Sequence, residues 1–200
     1  MGKMGTACII LGTALILGAL SLFLFNRLES EQAGAAAESV LPRIIEEILE
    51  PNSTDPAKEP SYPDPYDPAM TEVEIDGYAY VGYVSIPALE LELPVMANWD
   101  YSRLKIAPCR YSGSTKTDDL VLCAHNYTQH FGSLKGLTDG DAVIFTDMDG
   151  VVWRYEVVVV DVLSATAVEE MESGEYDLTL FTCTYDGVSR VTVRCDRVED

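Results

Sequence analysis

The chain divides by its hydrophobic pattern into an apolar N-terminal run, a polar middle and a C-terminal region of alternating residues. Residues 4–25 form the apolar run, which contains no charged side chain. At about 1.5 Å per helical residue, this length can cross the hydrocarbon core of a bilayer. We therefore predict a retained transmembrane anchor over residues 1–27. The small residues 35–37 leave a cleavable signal peptide as the alternative.

The polar middle, residues 28–76, is predicted to be an acidic, proline-rich stalk. Residues 38–50 place apolar side chains at helical spacing, which is typical of a short amphipathic helix that needs a surface to lie on. Residues 51–68 hold six of the ten prolines. Proline removes backbone donors and fixes φ, so this part should be a semi-stiff, extended linker. The expected role of the stalk is to hold the domain off the membrane.

From residue 77 to residue 200 the alternation is mostly that of strands. Two short helical segments are expected, at 99–104 and 131–137. The predicted strands cover 80–87, 89–95, 120–125, 142–146, 151–160, 178–183 and 190–195. A tight turn at residues 147–150 should join two of them as a hairpin. Seven to eight short strands in this length predict an all-β fold, a closed β-barrel with short helices.

The last two strands carry the most informative chemistry. Cys183 ends one strand, a polar turn follows, and Arg190 opens the next strand. If the strands pair around that turn, facing residue numbers sum to about 373, and Cys183 lies opposite Arg190. A thiol beside a guanidinium suggests a nucleophile with an oxyanion-binding group. Arg194 shares the face of Arg190 but lies about 14 Å further along the strand.

A cysteine nucleophile needs a base, and the chain has two histidines. His125 ends the apolar strand 120–125, so a rigid element would hold it in place. His130 follows in a polar stretch that is expected to be a loop. We therefore predict that His125, rather than His130, is the partner of Cys183.

These residues resemble the signature of sortases, the membrane-anchored cysteine transpeptidases of Gram-positive bacteria. The resemblance comprises a histidine closing a strand, a Thr-Leu-x-Thr-Cys motif at residues 179–183 and an arginine opening the next strand. It extends from about Tyr78 to Val198. The family usually has Gly-His where this chain has Ala124-His125, a departure that leaves the role of the histidine in place.

The resemblance implies a transpeptidase with catalytic residues His125, Cys183 and Arg190. Its substrate would be the sorting-signal peptide of a secreted protein, and its acceptor an amine of a cell-wall precursor or a pilin. Thr182 and Ala124 are candidates for substrate binding beside the cysteine. The catalytic domain would lie outside the cell, attached to the membrane by a single span.

Two further features resemble parts of some sortases. Asp64-Pro65-Tyr66 is similar to a lid in which an acid pairs with the arginine and a ring covers the cysteine; a plain linker is the alternative. The acidic residues within 169–175 resemble in kind a calcium-binding loop, although a solvated acidic loop explains them as well. No cofactor and no resident metal are otherwise expected.

Charge and cysteine content limit the remaining function classes. The net charge of −20 offers no basic patch for a phosphate backbone, so nucleic acid is not an expected partner. Cys109, Cys123 and Cys195 are expected to be small buried residues, with a bridge such as Cys109–Cys195 left open. Two other functions also remain open: an extracytoplasmic cysteine peptidase without transfer, and an inactive surface β-domain that binds peptides.

Overall fold

The computed structural model describes residues 2–50, 68–172 and 174–198. One long helix precedes nine strands, and a short helix and three 3-10 turns lie between strands. The 3-10 turns are Pro87–Leu89, Arg103–Lys105 and Phe131–Gly136. The helices and strands are α1 Lys3–Leu49, β1 Val73–Ile75, β2 Tyr78–Ile86, β3 Leu91–Met96, β4 Cys109–Ser112, β5 Leu120–Ala124, β6 Ala142–Asp147, β7 Val152–Ser164, α2 Val168–Met171, β8 Leu178–Cys183 and β9 Ser189–Arg197.

Strands β2 to β9 form a closed barrel, as the sequence predicts. The strand order is β1-β2-β3-β4-β5-β8-β9-β7-β6, and β2 also pairs with β6, which closes the ring. Most neighbours are antiparallel, but β5 pairs with β8 in parallel. This pairing is central to the site because the two strands then end at the same edge of the barrel.

Closure of the barrel depends on a glycine in β2. Gly82 has a φ of +146°, a region that side-chain-bearing residues rarely adopt. A Cβ added there would lie 2.0 Å from the carbonyl oxygen of Thr146 in β6. Without a side chain, the β2 backbone approaches β6 closely while it also pairs with β3.

Strands β2, β3, β5 and β8 pack residues of one face into the barrel interior and residues of the other face into an outer layer. In β5, Leu120 and Leu122 belong to the interior cluster, whereas Val121 and Cys123 belong to an outer cluster that also contains Ile44 of α1. The alternation follows from the two-residue period of a strand. Since β5 and β8 have apolar residues on both faces, their sequences are typical of buried strands.

Helix α1 has two parts with opposite surroundings. Its N-terminal part is apolar and exposed: the large side chains from Ile9 to Phe25 that the structure describes are about half exposed or more. Its C-terminal part buries Ala33, Ala37, Val40 and Ile44, which recur on one helix face. Among the described residues, α1 is the one helix long and apolar enough to cross a membrane.

The stalk differs from the expectation in its helical part. The predicted amphipathic helix at 38–50 is the C-terminal part of α1, which continues through Pro42. It lies on the barrel: Ile44 is fully buried, and Arg43 pairs with Asp76. This part of the chain is therefore docked against the barrel rather than forming a separate spacer. The outer face of the barrel provides the surface that this amphipathic helix needs.

The domain boundary and several strand ends also differ from the expectation. Strand β1 lies within the predicted stalk and pairs with β2, so the sheet begins at Val73. Strand β7 continues to Ser164, beyond the expected end at residue 160, because it pairs along nearly the whole of β9. The predicted turn at 147–150 does join β6 and β7 as an antiparallel hairpin.

All five cysteines are free thiols. Cys109 and Cys195 belong to different clusters, one outside the barrel wall and one inside, on strands separated by β5 and β8. A Cys109–Cys195 bridge is therefore incompatible with this fold. Cys109 lies opposite Cys123, and both are buried. Burial raises the pKa of the Cys109 thiol to about 12, so it is protonated at neutral pH.

Candidate active site

The β8–β9 hairpin brings the predicted nucleophile and the predicted arginine together. Cys183 lies directly opposite Arg190, and the register along the hairpin keeps the expected sum of 373. The turn is closed by Asp186, whose carboxylate accepts hydrogen bonds from the Thr184 hydroxyl at 2.5 Å and from the Val188 amide at 3.1 Å. These bonds lower the pKa of Asp186, so the turn keeps its closing acceptor at neutral pH.

The parallel pairing of β5 with β8 brings His125 to the same edge. Ala124 lies opposite Thr182, so the next residues along the two strands are His125 and Cys183. The Thr182 hydroxyl donates a hydrogen bond of 2.8 Å to the Ala124 carbonyl and ties the strand ends together. Thr182 is buried, and this bond gives it a structural partner within the wall.

His125, Cys183 and Arg190 line a single cleft of about 140 Å³ on the outer face of the barrel wall. They face outward because Cys123 and Phe181, two residues before His125 and Cys183, also face the cleft. Ala124 contributes to the lining as well. The rest of the lining is mostly apolar and comprises Trp99, Tyr101, Leu104, Tyr111, Ala165, Val168 and Met171.

The surroundings of His125 favour the neutral imidazole. Burial lowers its pKa, Lys105 lowers it further, and Glu29 of α1 opposes the shift. Its Nε2 is buried and has no hydrogen-bond partner among the described residues. The ring of Tyr127 packs beside it, with ring centroids 4.9 Å apart. A neutral imidazole with an unpaired nitrogen can accept a proton.

The loop after His125 is held tightly by its own backbone. The amides of His130 and Gly132 both donate to the Tyr127 carbonyl at 2.9 Å, and the Phe131 amide donates to the His125 carbonyl at 3.2 Å. A Cβ at Gly132 would lie 2.6 Å from the Asn126 carbonyl oxygen. Glycine is therefore required for this compact loop, which fixes the backbone at His125.

His130 is located away from the cleft and is fully buried. Burial lowers its pKa to about 4, an effect that the backbone of Ala33 in α1 partly offsets. The sequence placed His130 in a polar loop, and the polar loop is present; its burial results from the docking of α1. Of the two histidines, His125 lines the cleft, and it stays the predicted partner of Cys183.

The two arginines of β9 have different surroundings. Arg190 is half-buried at the cleft, and its Nη1 donates to the carbonyls of Gly187 and Ser189 at 3.2 and 3.1 Å. Arg194 is buried and donates to the Thr179 hydroxyl and to the carbonyls of Glu170 and Met171. Arg194 therefore fastens α2 to the barrel, whereas Arg190 faces the cleft.

Sequence reasoning missed the aromatic wall of the cleft. Trp99 stacks on Tyr111 with centroids 5.4 Å apart, and Tyr111 meets the edge of Phe181 at 5.2 Å. Tyr101 extends the group and is 75% exposed. Phe181 could have been found from its two-residue spacing to Cys183. The others come from β4 and from the segment before it, and sequence spacing gives no indication of their proximity.

The predicted lid and the predicted acidic loop are the two remaining features of the predicted site. Asp64 and Tyr66 lie outside the described residues. Part of the acidic segment forms α2, where the backbone carbonyl of Glu170 accepts from Arg194. Among the described residues, no group of three or more histidine, cysteine or acidic side chains is close enough to hold a metal ion.

The family model and the similar solved structures indicate the same family. The family model described as "Sortase domain" matches residues 84–198. No curated protein matches this chain. Among solved structures, sortase C1 from Streptococcus suis is 28% identical, with 60% of this chain and 74% of that one covered at a TM-score of 0.53.

Two more distant structures show the same fold over more of the chain. A sortase D5 transpeptidase from Clostridium perfringens has a TM-score of 0.62 at 14% identity, covering 82% of this chain and 99% of that one. Sortase A from Corynebacterium diphtheriae has a TM-score of 0.57 at 17% identity, covering 92% and 96%.

Proposed function

Since this chain belongs to the sortase family, we propose that it is a transpeptidase that cleaves a sorting-signal peptide and transfers the acyl part to an amine. The observation that carries this proposal is the convergence of Cys183, His125 and Arg190 on one cleft. Each of these residue types is common in proteins. A thiol, a neutral imidazole and a guanidinium lining one partly apolar cleft are suited to acyl transfer.

In the first half of the reaction, the Cys183 sulfur attacks the carbonyl carbon of the scissile peptide bond. His125 accepts the thiol proton and then delivers a proton to the departing amine, so the C–N bond breaks with a neutral leaving group. The guanidinium of Arg190 stabilises the negative charge that develops on the carbonyl oxygen. The product is a thioester between the substrate and Cys183.

In the second half, an amine attacks the thioester carbonyl. The imidazole of His125 removes a proton from the incoming amine, the new C–N bond forms, and the Cys183 thiolate leaves and is reprotonated. The acceptor we propose is an amine of a cell-wall precursor or a pilin. Ala124 in the cleft lining and the neighbouring Thr182 are proposed to contribute to substrate positioning.

The apolar wall of the cleft is suited to an extended peptide with large apolar side chains. Trp99, Tyr111 and Phe181 form a continuous aromatic surface beside Cys183. Aromatic contacts supply large buried area, and the few polar groups fix orientation. The same surface would serve a peptidase without transfer, so the acceptor step has to be measured separately.

We also propose that α1 anchors the enzyme in the cell membrane as a single span, with the catalytic domain on the extracytoplasmic side. The exposed apolar residues of its N-terminal part support this, as does the family. We keep the predicted anchor at 1–27 and the catalytic domain predicted at 77–200. We add to that domain the docked residues of α1 and strand β1, which the prediction assigned to the stalk at 28–76.

The test uses the full chain in detergent or nanodiscs, a library of sorting-signal peptides and a primary amine. Mass spectrometry distinguishes a peptide–amine product, free acid and a Cys183 thioester. Transfer product supports the transpeptidase; free acid alone, at every amine concentration, supports the peptidase. No product together with slow alkylation of Cys183 supports the inactive binding domain. Parallel reactions with calcium or a chelator test whether the acidic segment matters.

A further inference from the structure

The β8–β9 turn presents two large apolar side chains to solvent without a partner. Tyr185 is 95% exposed and Val188 is 67% exposed. Asp186 lies between them and is itself exposed, and its carboxylate accepts hydrogen bonds from the Thr184 hydroxyl and the Val188 amide. The turn therefore exposes one aromatic and one aliphatic side chain around a single carboxylate, which is hydrogen-bonded within the turn.

The position of this turn relative to α1 identifies what could cover it. Tyr185 lines the same crevice as Phe23 and Arg27 of α1 and Tyr127 of the loop after His125. Phe23 lies two residues before the end of the exposed apolar run at Phe25, a rise of about 3 Å along the helix. The ring of Tyr185 is thus level with the end of the apolar run.

The charges at that level fit the boundary between lipid and water. Arg27 and Glu31 pair with each other one turn beyond the apolar run, and Glu29 pairs with Lys105 at 3.4 Å. Tyrosine is enriched in this zone because its apolar ring and polar hydroxyl match the two sides. Phe23 and Tyr185 therefore line one crevice at a level suited to the interface.

We infer that the β8–β9 turn docks on the membrane leaflet that α1 enters, with Tyr185 and Val188 in the interfacial layer. The inference rests on the proposed anchor. It places the cleft at the membrane surface, because Cys183 and Arg190 immediately flank the turn. A substrate that is itself tethered to the membrane would then meet Cys183 without leaving the bilayer surface.

The test places tryptophan reporters in the full chain, reconstituted in nanodiscs whose lipids carry bromine high on the acyl chains. Tyr185→Trp reports on the turn. Val151→Trp is the matched control: Val151 is also exposed, but its turn lies by Ile48 of α1, about 37 Å along the helix from Phe23. Leu17→Trp, within the apolar run, reports on the anchor. Each signal is the difference from the parent, which contains Trp99 and Trp153.

Bromine should remove roughly half of the emission added by Tyr185→Trp, as for an interfacial ring, and leave that of Val151→Trp unchanged. Equal quenching at positions 185 and 151 with strong quenching at position 17 would overturn the docked turn while the anchor stands. Absence of quenching at position 17 would overturn both.

A second readout measures the consequence for catalysis. Tyr185→Ser should lower the turnover of a substrate fused to a membrane-spanning segment by roughly threefold to tenfold, since an interfacial aromatic contact is lost. Turnover of the same peptide free in solution should be unchanged. An equal loss on both substrates would assign Tyr185 to the cleft and contradict membrane docking.

Discussion

Arg190 and Arg194 project from the same face of β9, four residues apart, but the two ends of the hairpin differ in burial and in the partners they offer. At the rim, Arg190 lines the cleft with Cys183 and His125. Further along, Arg194 is buried and donates to the Thr179 hydroxyl and to two carbonyls of α2. Identical side chains on one strand thus have different surroundings, which fit the proposed reactive role of Arg190 and a structural role of Arg194.

The two histidines repeat this contrast. His125 lines the cleft with an unpaired Nε2, whereas His130 is fully buried where α1 crosses the loop. The rim is held by the backbone of rigid elements and leaves its polar atoms available. In the buried region, Arg194 has hydrogen-bond partners, and burial favours the neutral form of the His130 imidazole. Substitutions should therefore affect activity at the rim and stability in the buried region.

The largest effect should come from the rim. Cys183→Ala should lower cleavage and transfer by ~10³-fold or more, because no other group supplies the nucleophile, and the melting temperature should change little. Cys195→Ala, inside the barrel, is the matched control and should retain turnover while losing about 1 kcal/mol of stability. Peptide turnover and thermal unfolding measure both. Substantial activity in Cys183→Ala would refute the assignment.

The next largest effect should come from loss of the contact between α1 and the barrel. Ile44→Ala should lower the free energy of unfolding by about 2–4 kcal/mol, because a fully buried side chain leaves a cavity. Leu49→Ala, in the same helix but 75% exposed, should stay within about 0.5 kcal/mol of the parent. Denaturant unfolding measures the difference. Equal stability of the two variants would favour the original prediction that this segment is only a spacer.

His130 should make stability depend on pH. Between its folded pKa of about 4 and its ordinary value of 6.5, the unfolded chain binds a proton that the folded chain does not. Stability therefore falls as pH falls through this window, by about 3 kcal/mol from this group alone. His130→Phe should flatten that part of the profile measured by denaturant unfolding. If the free energy of unfolding of His130→Phe depends on pH as steeply as that of the parent, other groups govern this pH dependence.

The arginine pair should give a smaller but more diagnostic result. Arg190→Lys should lower kcat/KM by roughly 10-fold to 100-fold with little change in unfolding, because an ammonium cannot reproduce the planar fork of donors. Arg194→Lys should lose about 1–3 kcal/mol of stability, since buried acceptors lose a partner, while the folded fraction keeps its activity. The reverse pattern would mean that Arg194 serves the reaction.

The smallest expected effect concerns the proposed lid. If Asp64-Pro65-Tyr66 covers the cleft, Asp64→Ala combined with Tyr66→Ala should raise the alkylation rate of Cys183 by roughly twofold to fivefold, through greater exposure of the thiolate. Asp55→Ala, in the same proline-rich segment, is the control. Equal rates in the two variants would leave this segment as a plain linker.

Local pattern alone was sufficient for much of the fold and the site. Alternation located the strands of the barrel, and the turn at Asp186 set the register that pairs Cys183 with Arg190. The end of an apolar strand distinguished His125 from His130. The strand and register predictions are confirmed because the period of a strand and the chemistry of a turn act over a few neighbouring residues. The catalytic role of His125 stays a prediction.

Only the tertiary structure determined which of these elements meet. The docking of α1, the burial of His130, the bonds of Arg194 to α2 and the aromatic wall of the cleft all join residues far apart in sequence. The helix pattern showed an apolar face that needed a partner but did not specify the barrel as that partner. Burial and contact depend on the packing of distant segments, and the sequence of one segment does not contain that information.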